Sequence, residues 1–235
     1  LPVQWVNRPN ADFRGFAGTV AAGSIAPGDA VKIQPSGQEA VVKEVVLFDK
    51  SLPRALPKQS VTLTLDREVD VSRGDVIVPA EAPCEVSDQF DTSLVWMDQE
   101  SGYAGRGYDL MLGSRRINCT LTGIKHRVNV NTLEESSARE LALNDISRAV
   151  LSLDEPIPFT AYSDCRDLGS FILVDRFSKN TVAAGMINFG LRRAQNIHPR
   201  SRTIDVKARS QMRGHKGRVI WLTGISGAGK STVAD

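Results

Sequence analysis

Along most of the chain, apolar and polar residues alternate in short runs with a period of two. In SVTLTLD (60–66), Val61, Leu63 and Leu65 fall on one side and Thr62 and Thr64 on the other. That is the signature of a strand with one buried face. β-branched and apolar runs recur in GFAGTVAAG (15–23), AVKIQ (30–34), EAVVKEVVLF (39–48) and DVIVP (75–79). Turn chemistry separates them: in Pro27-Gly28-Asp29 and Pro35-Ser36-Gly37, proline presets φ and glycine supplies a left-handed position. About five or six short antiparallel strands of this kind lose their exposed edges by closing into a small barrel.

The segment PAEAPCEVSD (79–88) carries two prolines and several acids and reads as a connector. A second β-rich stretch follows in DTSLVWM (91–97), YDLMLGSRRINCTLTGIKHRV (108–128), ISRAVLSLD (146–154), SFILVD (170–175) and TVAAGMINFG (181–190). Within it, Thr132-Leu133-Glu134-Glu135 has capping-box spacing, which predicts a short helix from there to about Leu143. Gly102 to Gly107 reads as a flexible turn, because no parallel strand precedes it as a dinucleotide loop requires. After a basic stretch, Arg218 to Thr223 is a continuous apolar run suited to a strand buried on both faces of a parallel sheet. The expected organisation is a β-barrel over 1–82, a second over 83–190, a basic linker over 191–217, and the truncated start of an α/β P-loop domain over 218–235. The fold class is mainly β.

Composition narrows the reading. The chain has 235 residues, 41% hydrophobic and 24% charged, as expected of a soluble protein with room for two domains. No apolar run approaches the ~20 residues that cross a bilayer, and no signal segment opens the chain, so no membrane partner and a cytoplasmic location are expected. Cys84, Cys119 and Cys165 lie far apart, which favours reduced thiols over a disulfide framework or zinc site. His126, His198 and His215 are equally scattered. Net charge is +2, yet residues 191–218 hold nine Lys/Arg against Asp205 alone, leaving −6 for the remainder. The basic run lacks interleaved aromatics and reads as a solvated linker. Acidic barrels argue against nucleic acid as a partner. Glu134-Glu135 and Asp154-Glu155 read as capping and solvation, and the barrels offer no catalytic constellation.

The chemistry lies at the far end. GISGAGKST, Gly224 to Thr232, matches the P-loop pattern G-x-x-x-x-G-K-[ST]. Gly224, Gly227 and Gly229 let backbone N–H groups turn inward onto phosphate oxygens. Lys230 supplies a compact charge for the β- and γ-phosphates, and Ser231 a hydroxyl for Mg²⁺. Both chain ends read as cuts, from Leu1 to Asp235, and four residues after Ser231 are too few for the helix that completes the cradle. No kinase activity is expected of this chain alone.

These segments together resemble a known family. VNRPNADFRGFAGTVAAGSIAPGDAVKIQPSG (6–37) resembles the opening of the second domain of the GTP-dependent large subunit of bacterial ATP sulfurylase, itself similar to elongation factor Tu. LNDISRAVLSLDEPIPFTAY (143–162) and GSFILVDRFSKNTVAAGMI (169–187) resemble its third domain. WLTGISGAGKSTVAD (221–235) resembles the start of adenylyl-sulfate kinase. The order is similar to fused, bifunctional sulfate-activation enzymes. The resemblance implies two tandem elongation-factor-Tu-like barrels, non-catalytic and docked on a GTP-binding domain and on the ATP sulfurylase small subunit. It implies a parent that makes adenosine 5′-phosphosulfate from ATP and sulfate and phosphorylates it with ATP. Gly224, Ser226, Gly227, Ala228, Gly229, Lys230, Ser231 and Thr232 would contact the ATP phosphates, with Mg²⁺ beside Ser231. Two alternatives stand beside it: the aminoacyl-tRNA-binding barrels of a translation-factor GTPase, and a non-enzymatic interaction module.

Overall fold

Strand formation follows the alternation directly. The computed structural model describes residues 1–10, 13–48 and 50–191, which belong to one compact unit. The first sheet contains β1 (Trp5–Asn7), β2 (Gly15–Thr19), β3 (Ala30–Gln34), β4 (Gln38–Leu47), β5 (Lys50–Leu52), β6 (Ser60–Leu65) and β7 (Val76–Pro79). Its order is β1-β2-β6-β4-β3-β7, with β5 on β4. Residues 1–3 close it: the Val3 N–H donates to the Asp75 carbonyl at 2.8 Å and the Ile77 N–H to the Leu1 carbonyl at 2.9 Å. The result is a barrel without a free edge at that seam. Val31, Ile33, Val45, Val61 and Leu63 fill it, with Phe16 among them. Gly28 and Gly37 turn with φ of 90° and 74°, and Asp29 accepts the Ala26 N–H at 2.8 Å. Both turns were legible as Pro/Gly/Asp punctuation, whereas the short strands β1 and β5 were not anticipated.

The second sheet begins after Ala80–Cys84, a shorter connector than 79–88, because β8 (Glu85–Trp96) starts within the expected linker. There follow β9 (Gly102–Tyr103), β10 (Gly107–Leu112), β11 (Arg115–Val128), β12 (Glu135–Ser136), β13 (Glu140–Leu141), β14 (Ile146–Phe159), helix α1 (Arg166–Gly169), β15 (Ser170–Val174) and β16 (Thr181–Gly190). The order β10-β15-β16-β8-β14-β11 returns to β10 through a β10–β11 pairing, so this barrel also closes. Even positions of β8 (Phe90, Leu94, Trp96) point into a core shared with Tyr108, Leu121, Leu151 and Phe159. The long apolar run 108–128 is two strands, split where Gly113 turns at φ 57°.

The helix predicted from Thr132 does not form. Asn129 Oδ1 accepts the N–H groups of Asn131 and Thr132 at 2.9 and 3.3 Å, and the Thr132 hydroxyl donates to Glu134 at 3.2 Å. Leu133 sits at φ 60°. The capping side chains thus close a turn between β11 and β12, the competing use of the same hydrogen bonds. A helix here would have had little to bury, since Leu133 and Leu143 are 75% and 46% exposed. Gly102 to Gly107 is a turn flanked by strand: β9 pairs with β13, and Gly105 turns at φ 90°.

Candidate functional site

The residues expected to form a P-loop, Gly224, Ser226, Gly227, Ala228, Gly229, Lys230, Ser231 and Thr232, lie outside the described residues, as do the strand expected before them and the expected linker after Leu191. Among the described residues no group of His, Cys, Asp and Glu is placed to hold a metal ion. Cys84, Cys119 and Cys165 are free thiols. Burial pushes the Cys119 thiol up to about 12 and that of Cys84 up to about 11, which favours the protonated thiol over the nucleophilic thiolate at neutral pH. Glu135 lies 3.2 Å from His126 Nε2, and Glu155 3.9 Å from Arg115. These are surface pairs without catalytic geometry.

The structure brings together instead a joint between the barrels. The Ser114 hydroxyl, in the β10–β11 turn, donates to the Val3 carbonyl at 2.9 Å. Next to it Arg115 lies 3.8 Å from Asp75. Gly74 turns there at φ 95°, and a Cβ on it would meet the Arg115 Cβ at 3.1 Å, so the close approach favours glycine twice over. On the other side of the joint Lys58 Nζ lies 2.6 Å from Asp167, and Leu168 of α1 packs with Val76 and Val78 of β7. Burial raises the Asp75 carboxyl above its usual range, against the Ser72 N–H and Arg115, which lower it.

Three aspartates form hubs on the wall and rim of the second barrel. Asp91 is fully buried on β8 and accepts from Lys125 at 2.5 Å, Arg148 at 2.7 Å and Asn188 at 2.9 Å. Burial alone would raise its pKa; the donors from Lys125, Asn188 and Arg148 outweigh it and hold the carboxyl below the usual range. Each donor comes from a different strand, so one carboxylate ties β8, β11, β14 and β16 together. Asp109 on β10 is bonded by Arg116, with Arg176 and Lys179 at 3.6 and 3.9 Å. These side chains and Asp154 and Glu155 edge a cleft of about 590 Å³, in which the charges balance. Asp175 closes the β15–β16 hairpin: it accepts the Ser178 and Phe177 N–H groups at 2.8 and 2.9 Å, the Ser178 hydroxyl at 3.2 Å and Arg106 at 2.9 Å. Those donors, the Ser178 N–H first, bring it down to about 2. Carboxylates so fully engaged cannot serve as general bases; they hold strands in register. None was singled out in the sequence, where an outward-facing Asp on a strand reads as solvated.

Two closed barrels joined by a short connector define the chain as a translation-factor-type tandem-barrel protein. The GTP-eEF1A C-terminal domain-like family matches residues 89–188. The solved structure of sup35 with GDP superposes with a TM-score of 0.74 over 81% of this chain and 47% of that one, at 19% identity, which shows the fold alone. Sequence relatives narrow the class. The bifunctional enzyme CysN/CysC of Xylella fastidiosa is 47% identical over all of this chain and 38% of its own length. The bifunctional enzyme NodQ of Rhizobium sp. is 44% identical over all of this chain and 36% of its own. Sulfate adenylyltransferase subunit 1 of Chromobacterium violaceum is 53% identical over 188 residues, 80% of this chain and 39% of that protein. The chain belongs to this sulfate adenylyltransferase subunit 1 and bifunctional-enzyme family. It spans between 36% and 38% of the length of these two bifunctional relatives.

Proposed function

We propose that the chain is the barrel portion, with the beginning of the kinase portion, of a bifunctional sulfate-activating enzyme. The parent makes adenosine 5′-phosphosulfate from ATP and sulfate, coupled to GTP hydrolysis in a domain outside this chain. It then phosphorylates that product at the 3′ position with ATP. The observation that carries this reading is a difference in coverage: the bifunctional relatives match all 235 residues, the separate subunit 80% of them. A remainder matched by these bifunctional relatives and not by that separate subunit fits the P-loop sequence at Gly224 to Thr232.

The barrels are the docking part. Their joint combines apolar packing at Val76, Val78 and Leu168 with hydrogen bonds and ion pairs at Ser114, Arg115 and Lys58. Packed pairs of this kind move as rigid bodies between discrete arrangements. They suit transmission of a nucleotide-dependent rearrangement to the small, adenylylating subunit. By their sequence pattern, Lys230 and the backbone amides of Gly227 to Ser231 would hold the ATP phosphates, and Ser231 would hold Mg²⁺.

The test uses the complete parent with its small subunit. Lys230→Ala should lower ATP-dependent phosphorylation of adenosine 5′-phosphosulfate by about a hundredfold or more, the scale of losing one phosphate-stabilising group. Sulfate adenylylation should be unchanged. Retained phosphorylation, or equal loss of both reactions, overturns the assignment.

A further inference from the structure

The strands of the second barrel run between two ends with different fates. One end faces the first barrel: β8 enters there at Glu85, the β10–β11 turn places Ser114 and Arg115 against Val3 and Asp75, and Leu168 of α1 packs on β7. The opposite ends of the same strands form a mouth. Trp96 closes β8, Tyr108 is the second residue of β10, Asp175 follows β15 and Val182 is the second residue of β16. A cavity of about 220 Å³ opens among them.

Its lining has unsatisfied chemistry. Tyr108 is fully buried, and its hydroxyl has no hydrogen-bond partner. Arg106, Asp175 and Asp98 are its charged neighbours, and burial, the leading cause, holds the phenol protonated by raising it to about 12. A buried hydroxyl left unpaired is costly, and a ligand that bonded it would recover that cost. Asp98, Glu100 and Asp175 set three carboxylates against the single guanidinium of Arg106. Arg106 is held by Asp175 at 2.9 Å and reaches Glu100 at only 3.7 Å. The mouth is therefore acidic, with Asp98 and Glu100 at its rim.

The rim is also apolar. Phe177 is 92% exposed although its backbone N–H is fixed by Asp175 at 2.9 Å, and Met97 beside Trp96 is 49% exposed. Aromatic and Met side chains held at a surface are the composition of a protein contact. The cavity is smaller than the ~300–1,000 Å³ of small-molecule pockets and has room for a single long side chain.

We propose that this mouth receives an arginine side chain of a partner protein. The guanidinium donates to the Tyr108 hydroxyl oxygen and to the carboxylates of Asp98 and Glu100, and the aliphatic stem lies along Trp96 and Phe177. A planar fork of five donors serves three acceptors at once and stacks on aromatic faces, which a lysine ammonium does not. The charge of Arg106 does not oppose entry, because Asp175 neutralises it. This site lies away from the joint and does not depend on the P-loop reading.

The reporter is the Trp96 indole N–H, which donates to the Glu100 carbonyl at 2.8 Å and gives a resolved nitrogen–proton resonance in the labelled full chain. Titration with the peptide acetyl-Gly-Arg-Gly-amide should shift it saturably. The citrulline peptide, equal in shape and uncharged, and guanidinium chloride should each bind about tenfold more weakly or less, as expected when charge-assisted bonds or stem contacts are lost. Tyr108→Phe and, at the rim, Asp98→Asn should each weaken the arginine peptide about fivefold, the cost of one hydrogen bond. Equal responses to the arginine and citrulline peptides overturn the proposal, as does affinity unchanged in both variants. Guanidinium ion binding as tightly as the peptide also overturns it, since the mouth would then be a small-cation site.

Discussion

The two barrels solve the same closure problem with different materials. The first is built from strands of 3 to 10 residues around β-branched and small side chains, with Phe16 as the aromatic of its core. Its seam is closed by backbone: Gly18 lets the Pro2 carbonyl come so near that a Cβ would sit 2.2 Å from it. In the second, strands reach 14 residues, and Phe90, Trp96, Tyr108, Phe159 and Phe171 fill the interior. Phe90 meets Phe159 edge-on at 4.8 Å, and Trp96 meets Tyr108 at 5.8 Å. Within its sheet the tightest glycine approach is to a side chain, with a Cβ on Gly185 meeting the Phe171 ring at 2.2 Å. Its buried aspartates, Asp91, Asp109 and Asp175, pin wall and rim, whereas Asp75, the buried carboxylate of the first barrel, belongs to the joint. A small core leaves closure to main-chain hydrogen bonds, while a large one can rest on packing and use ion pairs for register.

Core truncation should separate the two most. Phe90→Ala removes an edge-on aromatic partner from a filled interior and should cost about 3–5 kcal/mol, against about 0.5–1.5 kcal/mol for Ile33→Val in the first barrel. Urea unfolding measures both, and comparable losses would erase the distinction. Next come the glycines. Gly18→Ala and Gly185→Ala should each cost about 1–3 kcal/mol by overpacking, but in different places. The first should strip hydrogen-exchange protection from the Val3 and Ile77 amides at the seam; the second should loosen the second barrel generally. Protection kept at Val3 and Ile77 in the Gly18 variant would mean the seam does not rest on that approach.

Acid should act on the barrels with opposite sign. Asp175 titrates at about 2 when folded and at ~3.9 when unfolded, so its contribution is present above about pH 4 and lost as pH falls toward 2. Asp91 is lowered and adds in the same sense. The Asp75 carboxyl is raised, so its ionisation opposes folding and its contribution grows on acidification. Exchange protection, corrected for intrinsic rates, should fall at Phe177 and Ser178 over that window before it falls at Ser72, and Asp175→Asn should flatten the effect. The smallest change expected is Lys58→Ala, whose pair with Asp167 joins the barrels but is largely solvated; it should cost about 0–1 kcal/mol in thermal unfolding.

Much of this architecture can be read from residue order. The alternation in AVKIQ and SVTLTL gives β3 and β6 to within a residue, because a strand with one wet face must repeat every two positions. Gly28 and Gly37 mark real turns for an equally local reason. The failure at Thr132 is instructive for the same cause: capping side chains bond whatever amides lie two or three residues on. Whether a turn or a helix results depends on an apolar face that only the folded neighbourhood supplies. Site chemistry divides in the same way. The pattern proposed to bind nucleotide is contiguous, from Gly224 to Thr232, and so needs no structure to be noticed.

The acidic mouth is not contiguous. Arg106 and Asp175 are 69 residues apart, and nothing in DTSLVWM foretells that Asp91 will be sealed under Lys125 and Arg148. Sequence alone therefore determined strand periodicity, turn positions and the glycine-rich pattern from Gly224 to Thr232, all set by neighbours along the chain. Tertiary structure alone decided which strands met, and with them the joint, the buried aspartates and the unpaired Tyr108 hydroxyl. Those depend on closing each sheet on itself, which brings distant side chains together that no local preference relates.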